Sequence, residues 1–174
     1  HRRDLHPWRR PSPADPLMAV PPALRLLSQW QRLHRLPGGR WLFSRLIGLF
    51  VPYTGSIGAR VETLAPGAVT ASLRERRAVR NHLRSVHAIA LVNLAEMTSG
   101  LAMLTALPLN VRGIVTGLRI SYGKKARGRL VAESRVVVPT VGADPVDFDV
   151  TATIRDAAGD GVATATVSWR LGTF

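Results

Sequence analysis

Apolar positions along this chain change their spacing several times, and each change marks an element. Over residues 23–35 the segment ALRLLSQWQRLHR repeats its apolar side chains every three to four positions, which predicts an amphipathic helix. Pro37-Gly38-Gly39 breaks it, and RWLFSRLIGLF predicts a second helix that ends at Pro52. Period two follows. Ile57, Ala59 and Val61 oppose Gly58, Arg60 and Glu62, and Val69, Ala71 and Leu73 oppose Thr70, Ser72 and Arg74, so two strands are expected. Residues 86–107, VHAIALVNLAEMTSGLAMLTAL, are instead apolar on nearly every face, with Ser85 as the candidate N-cap and Pro108 as the stop. They predict one long buried helix. Beyond it Leu118, Ile120 and Tyr122 alternate with Arg119 and Ser121, the basic segment GKKARG turns the chain as a hairpin, and residues 130–138 form a β-branched return strand. Residues 147–154 alternate again, and a turn at DAAGDG leads into the last strand, VATATVSWRL. Two strands, one buried helix and four strands predict an α+β domain over residues 55–174, an antiparallel sheet of about six strands wrapped around one central helix. The two helices of residues 23–54 are expected to pack on that domain.

Composition narrows this picture only in places. A chain of 174 residues suits one domain with its own core. Residues 1–22 are rich in Arg and Pro without an apolar period and are expected to be a disordered arm, with Met18 a candidate start. Arg9-Arg10 is followed by prolines and not by an apolar run, which removes the case for a secretion signal. The absence of cysteine excludes disulfides, thiolate zinc sites and a cysteine nucleophile, and a cytoplasmic location is expected. The net charge of +13 comes from 24 basic against 11 acidic residues, and every basic residue except Lys124 and Lys125 is arginine. Such a surface attracts polyanions, yet a coding bias toward Arg, Ala and Val produces the same excess, so charge alone does not choose a function. The central segment is long enough to span a bilayer, but His87, Asn93 and Glu96 oppose insertion, and strands on both sides offer a sheet to wrap it. No membrane span is expected.

Candidate chemistry lies in Asn81-x5-His87-x8-Glu96. Glu96 is the only acidic residue of the buried helix, and an unpaired buried carboxylate is costly enough that it is normally paired, protonated or functional. Each residue also has a structural explanation: Glu96 in an ion pair across a dimer interface, Asn81 in a turn, His87 in the first turn of the helix. Asn93 shares the face of Glu96 and is placed to hydrogen-bond it. No GxSxG elbow, P-loop, GxGxxG or HExxH occurs, and His82 with His87 at a spacing of five do not share a helix face for a metal. No metal or redox cofactor is expected. The cluster Arg74, Arg76, Arg77, Arg80 and Arg84 and the segment Lys124, Lys125 and Arg127 are either solvated faces or phosphate sites. Few aromatics are interleaved with them, so nucleic acid is not expected as a partner.

The asparagine, histidine and acid in this register, with the string VHAIALVNLAE, resemble the hot-dog fold thioesterases. More narrowly they are similar to the phenylacetyl-CoA thioesterase-like branch, whose motif runs Asn, His-Gly-Gly, then Leu-Ala-Asp, and to an uncharacterised bacterial subfamily with extra N-terminal helices. The resemblance covers residues 55–171. It implies hydrolysis of an acyl-CoA or acyl-carrier-protein thioester, coenzyme A entering only as part of the substrate. It implies Glu96 as general base or nucleophile, Asn81 and His87 as residues that hold and orient the reactants, and Ala88 and Ile89 as backbone oxyanion donors. Thr116 falls near a hydroxyl that assists the acid, and Lys124, Lys125 and Arg127 would take the phosphates of CoA. A homodimer or dimer of dimers with shared sites is likewise implied. Two departures stand out: Ala88 and Ile89 replace two glycines, and Glu replaces Asp. The first leaves open a hot-dog protein that binds acyl-CoA without hydrolysing it.

Overall fold

The computed structural model describes residues 22–173, so the arm over 1–21, Met18 included, lies outside the described residues. Two helices open the chain, α1 (Pro22–Leu33) and α2 (Gly39–Phe50), close to their sequence-predicted limits. A short third one, α3 (Pro52–Ser56), follows, with Pro52 in its first turn, where a missing N–H costs nothing. Gly48 of α2 and Gly55 of α3 touch: a Cβ on either would lie 2.9 or 2.6 Å from the other's Cα. That contact folds α3 back along α2.

The sheet is made of β1 (Arg60–Ala65), β2 (Ala68–Arg74), β3 (Val111–Tyr122), β4 (Arg129–Arg135), β5 (Val146–Arg155) and β6 (Gly161–Thr173). All neighbours are antiparallel, in the order β1-β2-β4-β5-β6-β3. The central helix α4 (Ala88–Ala106) lies across β2, β4, β5 and β6. Leu94, Ala95, Ala102 and Met103 are fully buried against sheet residues such as Leu73, Leu130, Ile154 and Val167. Each large side chain so buried contributes about 1.5–3 kcal/mol, so the all-round apolar character of α4 is a core signal. By length and composition the helix is apolar enough to cross a membrane, but the sheet and the N-terminal helices bury most of it. A sheet curled around one helix is the hot-dog fold.

The structure corrects two sequence expectations about connectivity. The segment 123–128 is not a hairpin, because β3 pairs only with β6, whereas β4 is already paired on both sides, by β2 and β5. Strand β3 also starts at Val111, well before the alternation that predicted it. Gly113 interrupts the pattern there, since a Cβ would come within 2.9 Å of both Leu171 and Trp169. A bulge at Thr116 shifts the register between Val115 and Gly117. The result is a long edge strand that exposes Ile114, Val115, Leu118 and Tyr122.

Candidate active site

The approach to α4 is knitted by local hydrogen bonds. Asn81 Oδ1 accepts from the Leu83 N–H at 2.9 Å and from the Ser85 N–H and Oγ, each at 3.2 Å. This is an Asx-type turn, tightened by Arg84 at φ 53°, and it holds Asn81 in a structural role. Ser85 is therefore not the N-cap. That position belongs to His87, whose Nδ1 accepts the Ile89 N–H at 3.1 Å. The bond requires Nδ1 to be bare and leaves Nε2 as the ring nitrogen that carries the proton. It also commits the Ile89 N–H, one of the two proposed oxyanion donors, to the imidazole. His87, Ile89 and Asn93, with Tyr53 and Arg80, line a concavity of about 260 Å³ at this helix end. The Ala90 and Leu91 N–H groups bond the His87 carbonyl at 2.9 and 3.2 Å, so what this helix end offers the concavity is mainly the positive end of the helix dipole.

Glu96 stands further along the same helix. It is half-buried, and burial raises its carboxyl above the ordinary glutamate range. Among the described residues no hydrogen bond or ion pair reaches its carboxylate. It lies on an uncovered stripe of α4 with Ile89, Val92 and Leu104, of which Ile89 is 52% exposed and Leu104 37%. Glu96 lines neither the His87 concavity nor the larger one beneath α2. A helix rises about 1.5 Å per residue, so nine residues place Glu96 roughly 13 Å along the axis from His87. One chain brings Asn81 and His87 to the same end of α4 and leaves Glu96 apart from them.

Several supporting assignments change. Asn93 does not bond Glu96; its Nδ2 donates 2.9 Å to the Tyr53 carbonyl, and its Oδ1 is buried without a partner. The element that takes up Asn93 is α3, which no periodicity announced. Thr116, at the β3 bulge, is exposed and donates to the Ser168 carbonyl at 3.3 Å, on the sheet edge. Lys124 is clamped by Asp156 at 2.6 Å and Asp160 at 2.7 Å, two carboxylates of the β5–β6 turn, and these bonds raise its pKa. Lys125 and Arg127 remain exposed nearby. Tyr122, read in the sequence as one of the alternating strand positions, donates its hydroxyl to the Ala88 carbonyl at 3.3 Å, beside the start of α4. Only the pairing of β3 at the far edge brings it there.

Residues 39–171 match the family described as a domain of unknown function (DUF4442). No curated protein matches the chain. Among solved structures, a structural-genomics protein is 27% identical with a TM-score of 0.75, over 86% of this chain and 99% of its own. A Pseudomonas aeruginosa protein of unknown function, PA5026, called a probable thioesterase, is 22% identical with a TM-score of 0.67, over 80% of this chain and 97% of its own. A thioesterase family protein from Silicibacter pomeroyi is 21% identical with a TM-score of 0.62, over 75% of this chain and 96% of its own.

Proposed function

We propose that this chain, which belongs to the DUF4442 family, is an acyl-thioester hydrolase of the hot-dog fold with Glu96 as its general base or nucleophile. The observation that carries this reading is Glu96 itself, a half-buried carboxylate on the core helix with a raised pKa and no partner among the described residues. An acid desolvated and unpaired has no stabilising role to explain it, and a base tuned upward suits attack on a thioester near neutral pH. Neighbours with thioesterase names share the fold and support the reaction class.

The site is composite between two copies. The long β3 edge, with Val115 and Leu118 exposed, is a surface that a second copy can cover by strand pairing, which would set it against the uncovered side of α4. In that arrangement the His87 end of one α4 receives the thioester carbonyl. The other copy's Glu96 either activates water or attacks the carbonyl carbon directly. In the water route Glu96 takes the proton as C–O forms, the oxyanion is held at the helix N-terminus, and collapse expels the thiolate, which takes up a proton. Acyl-CoA or an acyl carrier protein supplies the thioester, with Lys125 and Arg127 the exposed cations for CoA phosphates. A second reading, a binder of acyl-CoA without turnover, draws on Ile89: its side chain stands where the resembled branch has glycine, and its N–H is already taken by His87.

Release of free thiol from a panel of acyl-CoA esters tests the reading, with Glu96→Gln as control. Turnover by the natural protein and none by the variant supports hydrolysis; saturable binding of the same esters with no thiol release from either establishes the binder.

A further inference from the structure

Away from Glu96, a second concavity of about 770 Å³ opens between α2–α3 and the outer strands β1 and β2, a volume typical of small-molecule sites. Its walls differ in character. One carries Arg60, Arg74, Arg76 and Arg129 with a single carboxylate, Glu62, and Arg45 lines the cleft from α2. Glu62 accepts from the Ser72 hydroxyl at 2.7 Å and from Arg129 at 3.0 Å, and Arg40 and Arg60 stand 3.6 and 3.8 Å away. Burial alone would raise its pKa, but the Ser72 bond and the charges of Arg60 and Arg129 outweigh that and lower it. Its one negative charge is thus shared among three arginines. Arg45 and Arg74 have no hydrogen bond or ion pair among the described residues, and Arg76 reaches only the Ser56 carbonyl at 3.4 Å. Room for Arg76 comes from Gly58 at φ +62°, where a Cβ would lie 2.8 Å from the guanidinium.

The opposite wall is apolar apart from Arg45. Ile47 and Met97 are buried at its base, while Trp41 and Leu49 at its rim are 59% and 68% exposed. Arg45, Arg74 and Arg76 bring three cations to one cleft without a carboxylate partner, and the rim leaves a large indole in water. One ligand relieves both. We propose that this cleft is a binding site, separate from the Glu96 site, for an organic phosphate carrying an apolar group. A phosphate monoester has nearly two negative charges at pH 7 and three acceptor oxygens, which match the two arginines without partners and the third held only by a carbonyl. Arg forks fit such oxygens in pairs, and a hydrocarbon chain lies against Trp41 and Leu49.

Calorimetric titration of the full chain with octyl phosphate below its micelle concentration, with octanol and with inorganic phosphate tests this. Octyl phosphate should bind at least about tenfold tighter than either half-ligand, and less tightly as salt rises. Arg45→Ala should weaken it by about tenfold, the loss expected for one charge-assisted hydrogen bond. Arg45 is exposed on α2 and makes no bond in the fold, so this variant reads binding alone; Arg74→Ala is the second, on the sheet side. Glu96→Gln should bind octyl phosphate as the natural chain does, whatever becomes of hydrolysis. Phosphatidylcholine vesicles with and without phosphatidic acid separate the sources. Sedimentation with phosphatidic acid that Arg45→Ala abolishes assigns the phosphate to a lipid headgroup, and octyl phosphate binding without vesicle binding assigns it to a soluble metabolite. Equal binding of octanol and octyl phosphate, or undiminished octyl phosphate binding in both arginine variants, overturns the proposal.

Discussion

His87 and Glu96 project from one helix about 13 Å apart along its axis, the first as its N-cap and the second on its uncovered stripe. No side-chain rotation closes that gap, so a site that uses both needs two copies of the chain. The exposed β3 edge, whose Tyr122 reaches the start of α4, is the surface on which the second copy is expected. Val115→Lys with Leu118→Lys should therefore yield a folded monomer that has lost thioester hydrolysis, read by sedimentation and thiol release. A monomer with undiminished turnover would place the whole site within one chain.

Glu96→Gln should lower turnover by at least about 10²–10⁴-fold, the usual contribution of a positioned base. It should also change stability in a pH-dependent way. Burial holds the folded carboxyl above its ordinary value of 4.5, so folding favours the protonated form. The stability this contributes is fully present below the unfolded pKa and is lost as pH rises through the folded one. The melting temperature of the natural protein should accordingly fall relative to Glu96→Gln as pH is raised above 4.5, and the acid limb of its kcat/KM profile should lie above that of an ordinary glutamate. A constant gap in melting temperature across that range would show that the carboxyl is not desolvated.

Asn93 ties the core helix to the N-terminal extension through the Tyr53 carbonyl. Asn93→Ala removes the donor and should cost about 1 kcal/mol, a drop of roughly 2–4 °C in melting temperature for a chain of this size. Asn93→Asp should cost more, because it brings a buried charge and no proton for that carbonyl. Equal melting temperatures for all three proteins would mean that the Tyr53 bond contributes nothing.

Lys124 is occupied by Asp156 and Asp160, so Lys124→Ala should leave KM for CoA esters near its natural value. Lys125→Glu with Arg127→Glu should raise KM for CoA esters while sparing a short thioester that lacks the nucleotide, and the CoA effect should shrink as salt screens it. An equal response from both substrates would remove this loop from CoA binding.

Much of the fold was legible from periodicity. The 3.6-residue repeats of α1 and α2, the all-round apolar run of α4 and the alternation in β2, β5 and β6 all report local burial, which is what spacing encodes. What spacing missed depends on distant partners. The pairing of β3 with β6 follows from β4 being taken on both sides, and Gly113 breaks the pattern because of Leu171 and Trp169, some sixty residues away. The start of α4 was misplaced by two residues because Ser85 is drawn into the Asn81 turn and an imidazole replaces a hydroxyl as the cap. For the candidate site, the spacing Asn81-His87-Glu96 did not disclose that Asn81 closes a local turn, that His87 caps α4 and that Glu96 stands nine residues further along it. Asn93 escaped because its true partner belongs to α3.

The composite site is tested most directly by mixing two inactive variants. His87→Asn keeps a capping oxygen for the helix and loses the imidazole, and Glu96→Gln keeps the shape and loses the base. In a mixed dimer one site carries both lesions and the other carries neither. Random assembly makes about half the dimers mixed, so a co-refolded equimolar mixture should recover roughly a quarter of natural thioesterase activity. Recovery near that level is the result expected; a mixture as inactive as its components, with mixed dimers demonstrated by mass, would contradict a site shared between His87 of one copy and Glu96 of the other.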